Sequence, residues 1–255
     1  MSIVERAVGE NAWRRTALML AGLVVMAYGT ALSAHAGLGA TPISTLPFVL
    51  SEGLPFSFGA WVFIFNSALL LAQIAMKRGI DANITLQIPV LILFSVLCDV
   101  AYWTTDFIEQ ESYWVSWAET LASIAVMGLG IALTLRGNIS FRPADGFTEV
   151  VAERFHKDYG TFKLIVDMTV ILLACIASMC LFGELYGVRE GSIAAMLLTG
   201  PAERLISKHI GFVSGWGDKD APERACADIR HSVESPAVPC ETGTGTVVPG
   251  PSQHV

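Results

Sequence analysis

Charge is what this sequence has least of. Only 15% of its 255 residues are charged, against about 25% in an ordinary water-soluble domain. The shortage is also uneven. The first fifteen residues hold five charges and residues 211–255 hold nine, which leaves 25 for the 195 residues between. With 53% hydrophobic residues and a mean hydropathy of +0.55, that middle excludes a water-soluble fold. Catalytic signatures are missing as well: there is no HExxH, no GxSxG and no phosphate-binding loop. The Gly-x-Gly pieces at 37–39 and 128–130 lack the third glycine of a dinucleotide fingerprint and follow no strand. Five cysteines form no CxxC and no Cys/His ligand spacing. Cys98, Cys175 and Cys180 sit in apolar runs, where a free cysteine acts as a small hydrophobe; Cys226 and Cys240 lie near the C-terminus. No basic patch supports nucleic-acid binding. These absences predict a protein that is not an enzyme, with no cofactor, no metal and no nucleic-acid partner.

What is present is apolar sequence in lengths that cross a bilayer, about 20 residues per helix. Candidate spans are 16–34, 59–76, 83–103, 114–135, 164–182 and 192–210. The last is the least apolar, since Glu203 and Arg204 interrupt it, and five spans with an interfacial last helix is the alternative. Arg14 and Arg15 precede the first run, and Ala34-His35-Ala36 mimics a cleavage site. That run has 19 residues against about 7–15 for a signal peptide, and more spans follow, so it reads as an uncleaved helix. Short loops carry their cations on the cytoplasmic side. If the N-terminus lies inside, twelve cations fall on that side, leaving out the three in the tail, and the other side holds only Arg189, amid Glu52, Asp106, Glu109, Glu111, Glu184 and Glu190. The bias predicts a multi-pass protein of the bacterial inner membrane with both termini cytoplasmic. Residues 211–255, rich in Pro, Gly, Ser and Thr, read as a disordered cytoplasmic tail.

Laying 29–73 over 130–174 at a constant offset of 101, without gaps, matches nine of 45 positions. Among them are Gly29/Gly130, Pro42/Pro143, Glu52/Glu153 and Gly59/Gly160, with Asn66 opposite Asp167. Each half contains three spans, so the second must enter the membrane from the opposite side. Inverted repeats of this kind are typical of secondary transporters, whose sites lie near the midplane between the halves. The fold class expected is therefore an all-α membrane protein of about six transmembrane helices in two inverted three-helix repeats. Its divisions are an N-terminus 1–15, repeats 16–110 and 111–210, and the tail 211–255.

The segment Ala-Gly-Leu-Gly-Ala-Thr-Pro at 36–42, with Ser57-Phe58-Gly59 and Asn66, resembles the first-half pattern of the YczE/YyaS/YitT-like bacterial membrane proteins. Pro-Ala-Asp-Gly at 143–146, Asp167, Gly-Val-Arg-Glu-Gly at 187–191 and Gly200-Pro201 resemble the second-half pattern. The likeness covers residues 16–210. It implies a duplicated multi-span inner-membrane core and carries almost no information about activity.

Several residues stand out chemically. In each half a proline follows the first span, Pro42 and Pro143, at a position suited to the first helical turn. Asp145 follows Pro143 by two residues, where the helix dipole favours an acid. Each short helix is either an amphipathic interfacial helix or a half-helix dipping into the membrane. Both readings stand for the segment begun by Pro143, while the nearly uncharged segment begun by Pro42 favours dipping. Asp167 falls about 9 Å along its helix, and an ionisable group inside a membrane is a functional candidate. The competing reading pairs it with Lys163 at i−4. Asn66 is its mate by symmetry, and Gln73 lies two turns beyond Asn66 on the same face. Arg189 and Glu190, between Gly187 and Gly191, form the lead-in to the last helix. They are gating candidates, with Arg189 pairing Glu184 or Glu52, or are only a turn. Together these residues predict a small-solute transporter or channel, with a solute bound by Asn66, Asp145, Asp167, Gln73 and the helices begun by Pro42 and Pro143. The alternative is a non-catalytic accessory or scaffold protein. The expected partners are the lipid bilayer, an unidentified small solute and a second copy of the chain.

Overall fold

The computed structural model describes residues 12–77, 79, 82–106, 112–137, 143–155 and 159–209. The tail with Cys226 and Cys240, together with Arg78, Glu109, Glu111, Arg142 and Lys157, lies outside the described residues. Within them the regular structure is helical: α1 (Ala12–His35), α2 (Pro42–Gly53), α3 (Phe58–Lys77), α4 (Ala82–Thr105), α5 (Tyr113–Gly137), α6 (Pro143–Phe155), α7 (Tyr159–Phe182) and α8 (Glu190–His209). Five of these, α1, α3, α4, α5 and α7, are long and apolar enough to cross a membrane. The expected sixth span exists as a continuous 20-residue helix, α8, but its charged residues keep it out of that group. With 12 and 13 residues, α2 and α6 reach only about 18–20 Å and cannot span.

At the centre α1 and α5 cross in opposite directions, and glycines make the crossing close. A Cβ on Gly130 would lie 2.7 Å from Met26 N, and one on Gly29 would lie 2.9 Å from Met127 N. These two contacts exchange under the same offset of 101 that aligns the halves. Small residues let helix backbones approach where apolar lipid offers no drive for association. Hydroxyls along the crossing are satisfied within their own helices: Thr30 donates to Met26 O at 2.9 Å and Thr134 to Gly130 O at 2.9 Å. Leu23, Met26, Ala27 and Ala31 are fully buried there.

The remaining helices are arranged around this pair in matching ways. α4 lies along α1 as α8 lies along α5; α2 packs on α7 and α3, as α6 packs on α3 and α7. The match fails in one place, because α3 lies along α4 whereas α7 meets α8 at few residues. Large apolar side chains face outward, among them Leu71, Val96, Met168, Leu172 and Ile176, as a lipid-facing surface requires.

The helix α3 starts on a cap borrowed from α4. Asp99 Oδ1 accepts the Gly59 N–H at 2.6 Å, and Oδ2 accepts the Ser57 hydroxyl at 2.8 Å. The first N–H groups of a helix lack intrahelical partners, and a carboxylate there also meets the positive end of the dipole. Asp99→Ala is therefore expected to lower stability by about 1–2 kcal/mol. Asp99→Asn, which keeps an acceptor, should lower it less. Thermal aggregation of the detergent-purified variants measures both, and equal melting of the alanine variant and the parent would refute the cap.

Candidate solute-binding site

Pro143 opens α6 without losing a hydrogen bond, since the first-turn N–H groups have no partner within the helix. Two positions later comes Asp145, then Gly146, and Gly146 is where three helices converge. A Cβ at this position would lie 2.7 Å from Gln87 Nε2 and 2.9 Å from Gln73 Nε2. Both glutamines are inside the protein, with 1% of Gln73 and none of Gln87 exposed. Yet Gln73 Oε1 and both amide atoms of Gln87 have no hydrogen-bond partner. Leaving a buried polar atom unsatisfied costs about 1–3 kcal/mol. Among the described residues no other side chain has two buried polar atoms so left. The contrast with the buried hydroxyls is physical. Thr30, Thr120, Thr134, Thr148 and Ser95 reach back to carbonyls four residues earlier. The two glutamine amides are carried instead against Gly146, into the space a side chain there would take.

Beside them Lys163 Nζ lies 3.7 Å from Asp145 Oδ1 and 3.7 Å from Asp167 Oδ2. The ammonium thus joins α6 to α7 and holds Asp167 through the i,i+4 pair anticipated as the competing reading. Two carboxylates share one ammonium, and Asp167 is the more buried of them, its side chain 9% exposed against 19% for Asp145. At a rise of 1.5 Å per residue, Gln73 and Lys163 lie about 6 Å, Gln87 about 7.5 Å and Asp167 about 12 Å from the nearest ends of α3, α7, α4 and α7. The polar cluster is therefore nearer one end of the bundle than its middle, the end where Lys77 and Lys163 lie.

Asn66 directs its amide elsewhere, donating to Val62 O at 2.8 Å. Asn66 and Asp167 thus each take a partner four residues earlier, and those partners, Val62 and Lys163, are themselves related by the offset of 101. The start of α2 shows what the second half lacks. There Ser44 and Thr45 occupy the positions of Asp145 and Gly146. Thr41 N–H donates to Ser33 Oγ at 3.2 Å, Thr41 Oγ1 donates to Ser44 Oγ at 3.2 Å, and Thr45 Oγ1 donates to Ala40 O and Thr41 O. Pro42, Ser44 and Thr45 are buried. One proline-started helix is closed on itself; the other faces two amides, one with its oxygen unpaired and one with both atoms unpaired.

The opposite end of the bundle is stitched shut. Gly191 N–H donates to Leu38 O at 2.8 Å, Ser192 Oγ to Ala40 O at 2.9 Å, and Arg189 Nη1 to Gly37 O at 3.2 Å. Gly37, Gly39 and Gly187 take left-handed φ of 70°, 102° and 71°, which favours glycine. Arg189 also lies 3.9 Å from Glu190 Oε2, and Tyr113 donates to Glu190 Oε1 at 3.3 Å. Glu52, one of the partners considered for Arg189, instead accepts from Tyr102 at 3.0 Å and from Tyr186 at 3.3 Å. Burial, then the neighbouring Glu52 carboxylate, pushes the Tyr186 phenol above its ordinary pKa. A cleft of 420 Å³ opens on this side beside Glu52, Asp99, Tyr102 and Trp103, but its best-placed carboxylates already hold the partners just described.

Of the residues expected at the site, Gln73, Asp145, Asp167 and Pro143 gather at one end. Pro42, Arg189 and Glu190 belong to the stitched end or its neighbourhood, and Asn66 is bonded within its own helix. Sequence reasoning missed Gln87 and Gly146. The available signal was a glutamine inside an apolar run, two residues before Pro89.

Five apolar spans around a buried polar cluster define an integral, multi-pass helical membrane protein. The chain belongs to a family of unknown function, DUF6198, whose profile matches residues 13–208. No curated protein and no solved structure matches it.

Proposed function

We propose that the protein is a small-solute transporter or channel of the bacterial inner membrane. It is read here as two inverted repeats, in keeping with the likeness to the YczE/YyaS/YitT-like proteins, with cytoplasmic termini. One observation carries this reading. Two buried glutamines present amide atoms without partners around a glycine, inside a membrane-spanning bundle, beside an Asp–Lys–Asp bridge. Polar groups inside a membrane are costly and gather where solutes or ions pass. The antiparallel crossing of α1 and α5, with contacts exchanged by the offset of 101, supports the inverted arrangement.

Uptake and retention profiling of metabolites in a deletion strain and in the complemented strain tests the function. At least one small solute should change its distribution, and restore it with the parent chain. Identical profiles would favour a scaffold. Orientation is tested separately by single cysteines at Glu184 and Lys77 in a background without the native cysteines. An impermeant maleimide added to whole cells should label the first and spare the second; the reverse pattern would overturn the assignment.

A further inference from the structure

The spacing of Asp99, Tyr102, Trp103 and Asp106 sets them along one side of the last turns of α4 and the residue after it. All four line the 420 Å³ cleft, and its other wall is the corner between α2 and α3, with Glu52 and Phe56. Three carboxylates thus share one cleft, and no Lys, Arg or His is among its described lining residues. The hydrogen bonds they accept leave the charge in place. Glu52 takes two phenol O–H groups, and Asp99 takes a hydroxyl and a backbone N–H. These donors are all neutral; they fix a carboxylate without cancelling it. Two aromatic rings stand open beside the acids, with Trp103 80% exposed and Phe56 56%. Phe56 is braced edge-on by Trp61 at 5.9 Å, and Tyr102 is backed by the His35 ring at 4.3 Å.

We infer that this cleft binds a quaternary ammonium group. Clefts of about 300–1,000 Å³ take organic ligands, and this one carries three negative charges with no cation to match. The faces of aromatic rings attract a cation as well, and quaternary ammonium ligands are the kind most often held this way. The acceptors decide against other cations. Each oxygen of Glu52 and of Asp99 already accepts a hydrogen bond. A primary ammonium brings three N–H donors that need acceptors, and a small inorganic ion needs several oxygens at once. Among the described residues no three acidic, histidine or cysteine side chains are grouped to hold a metal ion. A quaternary ammonium asks for charge and apolar contact alone. The recognised group is trimethylammonium, on a free solute such as choline or on a phosphatidylcholine headgroup. This site lies at the opposite end of the bundle from Gln73 and Gln87, and it stands whether or not the chain transports.

The test uses the full chain in nanodiscs of phosphatidylglycerol, with radiolabelled choline read by scintillation proximity. Binding should saturate and be displaced by tetramethylammonium, but not by 3,3-dimethylbutan-1-ol, the uncharged isostere of choline. Ethanolamine and magnesium, compared at one ionic strength, should displace it only at much higher concentration. Trp103→Leu should weaken binding about two- to fivefold, the range of one exposed cation–ring contact. Asp106→Asn should weaken it by about as much, the value of one exposed charge pair. Both side chains are exposed, so these variants should fold, and matching size-exclusion profiles check that they do. Glu184→Gln removes the same charge at the same end but outside the cleft, and should leave binding unchanged. Nanodiscs of phosphatidylcholine separate the two sources: lost choline binding there assigns the cleft to the headgroup, and retained binding assigns it to a free solute. Absence of saturable choline binding in phosphatidylglycerol would overturn the proposal. So would equal displacement by magnesium, by ethanolamine or by the uncharged isostere. Unchanged binding in Trp103→Leu and Asp106→Asn would reduce Trp103 to an interface anchor and overturn it as well.

Discussion

Gly130→Val is expected to abolish recovery of folded protein. The added carbons would fall on main-chain atoms of α1, with Met26 N at 2.7 Å and Gly22 O at 2.9 Å from the Cβ alone. Forcing extra methyl groups into a packed core costs about 1–3 kcal/mol when side chains can yield. Here the obstacle is backbone on the longest interface of the bundle, so the cost exceeds that range. Gly22→Val should behave alike, since its Cβ would meet Thr134 N at 2.7 Å and Gly130 O at 2.8 Å. Gly200→Ala changes a helical glycine into open space and should be neutral or stabilising, by up to about 1 kcal/mol from helix propensity. Fluorescence-detected size exclusion of the three variants reads the outcome directly. Folded, monodisperse Gly130→Val at parental yield would show that the crossing is looser than described.

The second large effect concerns the bridge. Lys163→Met leaves the Asp145 and Asp167 carboxylates facing one another without the ammonium between them. Removing one member of a buried ion pair costs about 3–5 kcal/mol, but Lys163 is 36% exposed, so solvent screening reduces this to the lower end or below. Asp167→Asn keeps the shape and leaves Lys163 with Asp145. It should fold well and, on the transport reading, lower uptake per folded molecule by about tenfold, a change of about 1.4 kcal/mol. The double variant Lys163→Met, Asp167→Asn should recover stability relative to Lys163→Met alone without recovering uptake. A double-mutant cycle on yield and on uptake separates the two roles. Equal loss of protein in every variant, with parental uptake per surviving molecule, would remove Asp167 from the site.

Sequence and structure agree where a local signal exists. Hydropathy located the five spans to within a few residues, and prolines marked the first residues of α2 and α6. Lys163 and Asp167 are four apart on one helix, and the spacing alone made their pairing an option. The exchanged contacts of Gly29 with Met127 and of Gly130 with Met26 follow the repeat that aligned the two glycines. What was hidden is what depends on packing between distant segments. Gln87 and Gly146 are 59 positions apart in the chain, and nothing in either neighbourhood announces the other. The cap of Asp99 on α3 was equally out of reach, because a capping acid ordinarily lies at the start of the helix it caps. Asn66 looked equivalent to Asp167 by offset, but an amide can donate to its own helix where a carboxylate cannot.

The stitches between Gly37–Ala40 and Arg189–Ser192 have a consequence for biosynthesis. Their acceptors belong to the first loop translated and their donors to the lead-in and first turn of the last helix, with 152 positions between Ser192 and Ala40. Contacts so far apart in the chain are the slowest to form. No nascent chain can therefore close that end before α8 leaves the ribosome. Until then Leu38 O awaits Gly191 and Ala40 O has only Thr45, and the membrane-quality-control machinery meets an open bundle. A chain cut short before Glu190 would carry every apolar span and still be recognisably unfinished.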